Sequence, residues 1–138
     1  MNYRVLLGLA LSTALPACVV ETADSGPAPV VVDSGTLVLD WSIDGTKDPD
    51  QCDQSDSRTL DVTVTRADGA SAGEFQQSCR SFATSIDLPP GTYSADALLL
   101  DSSGADRTTA VHVHPFDILG GDELSVPIDF SAGSFYSP

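Results

Sequence analysis

Leu37-Val38-Leu39-Asp40-Trp41-Ser42-Ile43 puts Leu37, Leu39, Trp41 and Ile43 on one side of an extended chain and Val38, Asp40 and Ser42 on the other. Successive side chains of a strand point to opposite faces, so this spacing predicts a strand half-buried against a core. Asp44-Gly45 ends it with turn chemistry. The same pattern recurs along the chain. Leu60, Val62 and Val64 alternate with Asp61, Thr63 and Thr65 and stop at Asp68-Gly69. Phe75, Gln77 and Cys79 form a shorter third run, and Phe82, Thr84, Ile86 and Leu88 a fourth. The phase slips by one between these two, which predicts a bulge or bend near Arg80-Ser81. Tyr93, Ala95, Ala97 and Leu99 make a fifth run, with Leu98 and Leu100 on its other face, which predicts cover on both sides. Thr109, Val111 and Val113 make a sixth, and Leu124, Val126, Ile128 and Phe130 a seventh. Pro127 has no N–H for a ladder, which places the seventh strand at a sheet edge. No segment has the apolar stripe of an amphipathic helix.

Short strands of this number, punctuated by glycine-bearing turns, define an all-β chain and predict an antiparallel β-sandwich of about seven strands over residues 36–131. A barrel is the second choice, and residues 132–138 are expected as a C-terminal tail. The rings of Trp41, Phe75, Phe82, Tyr93 and Phe130 are the expected core, since aromatic side chains remove the most apolar area from water. Between the fourth and fifth runs lies Leu88-Pro89-Pro90-Gly91-Thr92-Tyr93. Two prolines preset φ for a turn, and Tyr93 then opens the next strand with its ring inward. This strand–turn–strand segment resembles the corresponding turn of carboxypeptidase-regulatory-like, or prealbumin-like, domains and related immunoglobulin-like sandwiches. The resemblance implies a small stable module for display or adhesion, with no activity of its own.

Met1-Asn2-Tyr3-Arg4 followed by the apolar stretch Val5 to Leu15 reads as a signal peptide, residues 1–17. The stretch is too short to span a bilayer core, which takes about 20 apolar residues. Leu15-Pro16-Ala17-Cys18 resembles the lipobox of bacterial lipoproteins, with Leu three places before the cysteine and a small residue directly before it. Pro16 departs from the usual middle residue, and Ser12-x-Ala14 offers an alternative cut for the ordinary signal peptidase. The resemblance implies diacylglycerol on Cys18 and an amide-linked acyl chain, a two-signal anchor far firmer than a single acyl chain. Val19 after the cysteine favours the outer over the inner membrane under the sorting rule of enteric lipoproteins. Residues 18–35 then form a tether, since Val19 to Gly35 mixes Ala, Pro, Gly, Ser and acid without a sustained period. A flexible chain of that length spans about 23 Å. Val30-Val31-Val32 is the one piece with the composition of an added edge strand.

If Cys18 takes the lipid that the lipobox resemblance implies, Cys52 and Cys79 are left as one pair; the alternative is a plain secreted protein with a stray Cys18. A disulfide between them would close the loop 53–78 and stabilise by about 3 to 4 kcal/mol through loop entropy. Cys52 and Cys79 lack the C-x-x-C spacing of a redox couple.

The 138 residues carry 20 Asp and Glu against 6 Lys and Arg, for a net charge of −14. Too few cations remain for a phosphate-binding stripe, which excludes nucleic acid as a partner. The expected partners are a membrane, through the lipid anchor, and an envelope protein or a carbohydrate. Asp44, Asp48, Asp50, Asp53 and Asp56 crowd one loop. Calcium takes six to eight hard oxygen ligands, so this loop is the candidate calcium site, although its order is not that of an EF-hand. The simpler reading is a solvated acidic loop hinged at Cys52. His112 and His114 stand at i and i+2, on one side of a strand, where both imidazoles could reach one transition metal with Asp117 as the nearest third ligand. Two histidines on a polar strand face is again the simpler reading. The chain has no G-x-S-x-G elbow, no H-E-x-x-H and no P-loop, so no catalytic residue is assigned and no enzyme is expected. The expected function is a non-catalytic envelope lipoprotein displaying a β-sandwich. The alternative is a calcium- or carbohydrate-binding adhesion domain built on the acidic loop.

Overall fold

The computed structural model describes residues 33–137 together with Gly26. The signal segment, Cys18 and the valines at 30–32 lie outside the described residues. Seven strands form two sheets packed face to face: β1 (Gly35–Ile43), β2 (Thr59–Arg66), β3 (Ser71–Ser78), β4 (Ala83–Leu88), β5 (Gly91–Leu100), β6 (Val111–Ile118) and β7 (Glu123–Phe130). One sheet has the order β4-β1-β7 and the other β3-β2-β5-β6. Sequence alternation is realised directly. Leu37, Leu39, Trp41 and Ile43 of β1, Leu60, Val62 and Val64 of β2, and Tyr93, Ala95, Ala97 and Leu99 of β5 are all buried between the sheets.

Most neighbouring strands are antiparallel, but β1 runs parallel to β7, with Leu37 opposite Leu124 and Ile43 opposite Phe130. The first and last strands thus close one sheet side by side, a pairing no local turn can specify. Gly35 makes the approach possible. A Cβ there would press on the Leu119 carbonyl and lie 2.6 Å from Ile118 Cγ2. The phase slip near Arg80-Ser81 is a short 3₁₀ turn, Cys79–Ser81, closed by Phe82 at φ 54°. It carries the chain from β3 in one sheet to β4 in the other.

Several expectations change in the folded chain. Phe75 is only half-buried, because β3 is an edge strand with one neighbour. Leu98 and Leu100 are likewise half-buried, since no further layer covers the outer face of β5. The stretch after Phe130 is tied to the sandwich: Thr109 N–H donates to Ser134 O (2.8 Å), Tyr136 N–H donates to Arg107 O (2.9 Å), and Phe135 packs on the core. A six-residue helix, α1 (Pro49–Gln54), sits inside the acidic loop.

The Leu88–Tyr93 corner contains a specific tie. Tyr93 is 3% exposed, and its hydroxyl donates to the carbonyl of Pro89, four residues back, at 2.6 Å. This is the tyrosine-corner arrangement of immunoglobulin-like sandwiches. The ring also stacks on Phe116 of β6, at 6.2 Å between centroids. Tyr93→Phe keeps the ring and removes the bond, so it is expected to lower the unfolding free energy by about 1 kcal/mol. Urea titration measures this directly, and an unmoved midpoint with an unchanged slope refutes it.

At the β5–β6 turn, Asp101 accepts hydrogen bonds from the Ser103 hydroxyl and from the backbone N–H groups of Ala105 and Ser103. The Ser103 hydroxyl foremost, then the Ala105 and Ser103 amides and the Arg107 charge, hold its carboxyl below the ordinary carboxylate range.

Candidate functional site

The two sheets end side by side at β6 and β7. Each is the last strand of its sheet, and the pair is not hydrogen-bonded together. Between them runs an apolar groove of about 470 Å³, walled by Val111, Val113 and Phe116 of β6 and by Leu124, Val126 and Ile128 of β7. The even-numbered residues of β7 bond to β1, as the carbonyls of Asp122 and Phe130 do to Thr36 N–H and Asp44 N–H, both at 2.9 Å. The backbone groups of Glu123, Ser125, Pro127 and Asp129 therefore face the open side, because successive peptide groups alternate in direction along a strand. Pro127 falls on that side, where its missing N–H costs no bond to β1. Its sequence-based placement at an edge is correct. On β6, Tyr93 pairs with Phe116 and Ala95 with Val113, so His114 and Pro115 together oppose Ser94 in a bulge. Both groove-lining edges thus carry a proline.

His112 and His114 form one rim of this groove, their rings edge to face at 5.7 Å. The third residue beside them is Asp96, and not Asp117. Asp96 lies opposite His112 across β5 and β6, with its Oδ1 2.7 Å from Nδ1 of His112. Asp117 instead accepts from the Thr92 hydroxyl at 2.6 Å, because its register partner is Thr92. Cross-strand register, invisible to spacing along β6, decides which carboxylate meets the imidazole. Among the described residues, Asp96 is the one side chain hydrogen-bonded to either imidazole.

The acidic loop has a different organisation. Asp48 caps α1 by accepting from Asp50 N–H at 3.0 Å, with Pro49 at the first helical position. Asp-Pro at a helix start is the local signal that could have found this helix, which hydrophobic periodicity passes over. Asp53 accepts from Arg58 Nη1 at 2.7 Å and from Arg80 Nη2, holding the loop to the β3–β4 crossover. Asp44 and Asp56 occupy left-handed turn positions, at φ 50° and 53°. Asp50 is exposed in the first turn of α1. The carboxylates that share the loop therefore point to separate tasks, and among the described residues no group of three or more His, Cys, Asp or Glu side chains comes together to hold a metal. Beneath the loop, Cys52 of α1 is joined to Cys79 of the 3₁₀ turn, Cα to Cα 6.1 Å, and both are buried.

No protein family and no curated protein matches the sequence. Among solved structures, the fold is similar to part of a leucine-rich repeat protein from Bacteroides thetaiotaomicron, at 19% identity and a TM-score of 0.44 over 73% of this chain and 14% of that one. It is also similar to a DUF1812 protein from the same organism, proposed to bind polysaccharide, at 10% identity and a TM-score of 0.46 over 69% of this chain and 46% of that one. The chain thus spans less than half the length of either.

Proposed function

We propose that this chain is a non-catalytic lipoprotein of the bacterial cell envelope, held through lipid on Cys18 and displaying one disulfide-stapled β-sandwich, with the outer membrane as its destination. The cysteine arithmetic carries the reading. The bond between Cys52 and Cys79 uses two of the three cysteines, and the third is the one that follows Leu15-Pro16-Ala17. A disulfide also accords with export, since such bonds persist in oxidising compartments.

The topology supports a display role. The chain enters the sandwich beside the β6–β7 turn, where Gly121 N–H donates to Ser34 O at 3.0 Å. Strand directions put the tight β2–β3, β4–β5 and β6–β7 turns at this end, and α1, the Cys79–Ser81 turn and the β5–β6 loop at the other. Ser34, where the described sandwich is entered, therefore lies at the end opposite the larger loops.

Cys18→Ser is expected to move the protein from the membrane fraction to the soluble one and to remove the mass of the diacylglycerol and the amide-linked acyl chain. Intact mass of the membrane-extracted protein is the measurement. A soluble product that begins upstream of position 18, with an unmodified thiol, overturns the proposal.

A further inference from the structure

We infer that the β6–β7 groove receives an extended peptide segment of another protein, with apolar side chains at alternate positions and a net positive charge, added as a strand to the free edge of β7. Three features of the groove argue for an extended occupant. Its apolar walls have a period of two, Val111 and Val113 on one side and Leu124, Val126 and Ile128 on the other. In a strand that period repeats about every 6.7 Å, the repeat at which an extended peptide presents its own alternate side chains. The free edge of β7 still offers the N–H groups of Glu123, Ser125 and Asp129, and the carbonyls of all four outward residues. Pro127 withdraws a single donor, so pairing by main-chain hydrogen bonds remains available. A strand laid there would lie between β7 and β6 and cover Val126 and Phe116, which are only half-buried.

Charge selects the partner. Among the described residues no Lys or Arg lines the groove, whereas Asp129 lies on it and Asp96 stands behind His112. The cations are committed elsewhere: Lys47 to Asp40, Arg58 and Arg80 to Asp53, and Arg107 to the Ser55 carbonyl. Arg66 lines a separate hollow at the β2–β3 turn end, together with Asp68 and Pro90. The Asp129 carboxylate accepts from Ser42 Oγ and Gly45 N–H but meets no cation among the described residues, and a second copy of the chain would bring a further net charge of −14 toward it. Like-charge approach disfavours that copy as the occupant and favours a basic one, whose encounter is steered by the field. This binding would operate whether or not Cys18 is lipidated, so the two proposals fail separately.

The test is binding of a synthetic peptide of about seven residues, alternating lysine and valine, to the purified protein by calorimetry, with backbone amide shifts read by NMR. Alternating glutamate–valine and lysine–glycine peptides serve as comparisons. Expected is binding at least about tenfold tighter than either comparison, weakening from about 0.05 to 0.5 M salt, with shifts confined to Val111–Phe116 and Glu123–Asp129. Ser125→Pro removes a second outward donor while leaving the bonds of β7 to β1 intact, and should cut affinity about tenfold at an unchanged melting temperature. Val126→Lys, which puts a charge of the peptide's own sign on the groove wall, should also cut affinity in the folded protein. Equal binding of the lysine–glycine peptide, shifts centred on the acidic loop, self-association through β7 without peptide, or full affinity in folded Ser125→Pro each overturns the inference.

Discussion

Trp41→Ala lowers the unfolding free energy by about 3 to 5 kcal/mol, the range for truncating a large buried aromatic, and takes up much of a small domain's total stability. Trp41 is 0% exposed near the C-terminal end of β1, and Phe82 packs against it at 6.3 Å between ring centroids. Its Nε1–H donates to the Cys79 carbonyl at 3.1 Å, in the 3₁₀ turn that moves the chain between sheets. Losing the indole therefore opens a cavity and also leaves a buried carbonyl without its donor. Trp41→Phe separates the two effects, since it retains much of the volume and removes the N–H. It should fall between wild type and Trp41→Ala in equilibrium denaturation. Equal stability of Trp41→Phe and wild type would show that the hydrogen bond contributes nothing.

The second large effect comes from the disulfide. Replacing Cys52 and Cys79 by Ala is expected to cost about 3 to 4 kcal/mol, close to the loop-entropy value for a sequence separation of 27. The mechanism in this fold is specific. The bond ties α1, a helix of six residues and too short to persist alone, to the turn on which Trp41 rests. Strands β1 and β2 are joined only through that helix and its loop. Thermal unfolding with and without reductant provides the check, and a melting temperature indifferent to reductant, with the bond verified as cleaved, contradicts it. The Trp41 and cysteine substitutions act on the same turn, so their effects should fall short of additive, and a double-mutant cycle measures by how much. Two substitutions with separate consequences would add.

Much of this was legible along the chain. Alternation in 37–43, 60–65 and 93–99 gave both the strands and their buried faces, because the two-residue period of a strand is a local property of the backbone. Pro127 announced its edge, since a missing donor is tolerated only where no neighbour asks for it. The Phe82 phase slip announced a bend. Less legible was the acidic loop. Five aspartates in one stretch suggest a shared ligand, yet Asp48 caps a helix and Asp53 meets Arg58 and Arg80, the second of them remote in sequence. Composition counts carboxylates without saying where each one aims. The histidines divide in the same way. Their common side of β6 followed from spacing, while Asp96 in place of Asp117 followed from register with β5.

The amino-acid order by itself determined most of the segments that extend, which face of each is apolar, that Pro127 must stand at an edge, and where a lipobox-like segment lies. Tertiary structure alone decided that β1 lies parallel to β7, that β6 and β7 meet as two unpaired edges around an apolar groove, and that Asp96 faces His112. The reason is physical: a strand's periodicity is fixed by bonds within a few residues, but its neighbours are chosen by the summed packing of both sheets, and no short stretch of chain contains that sum.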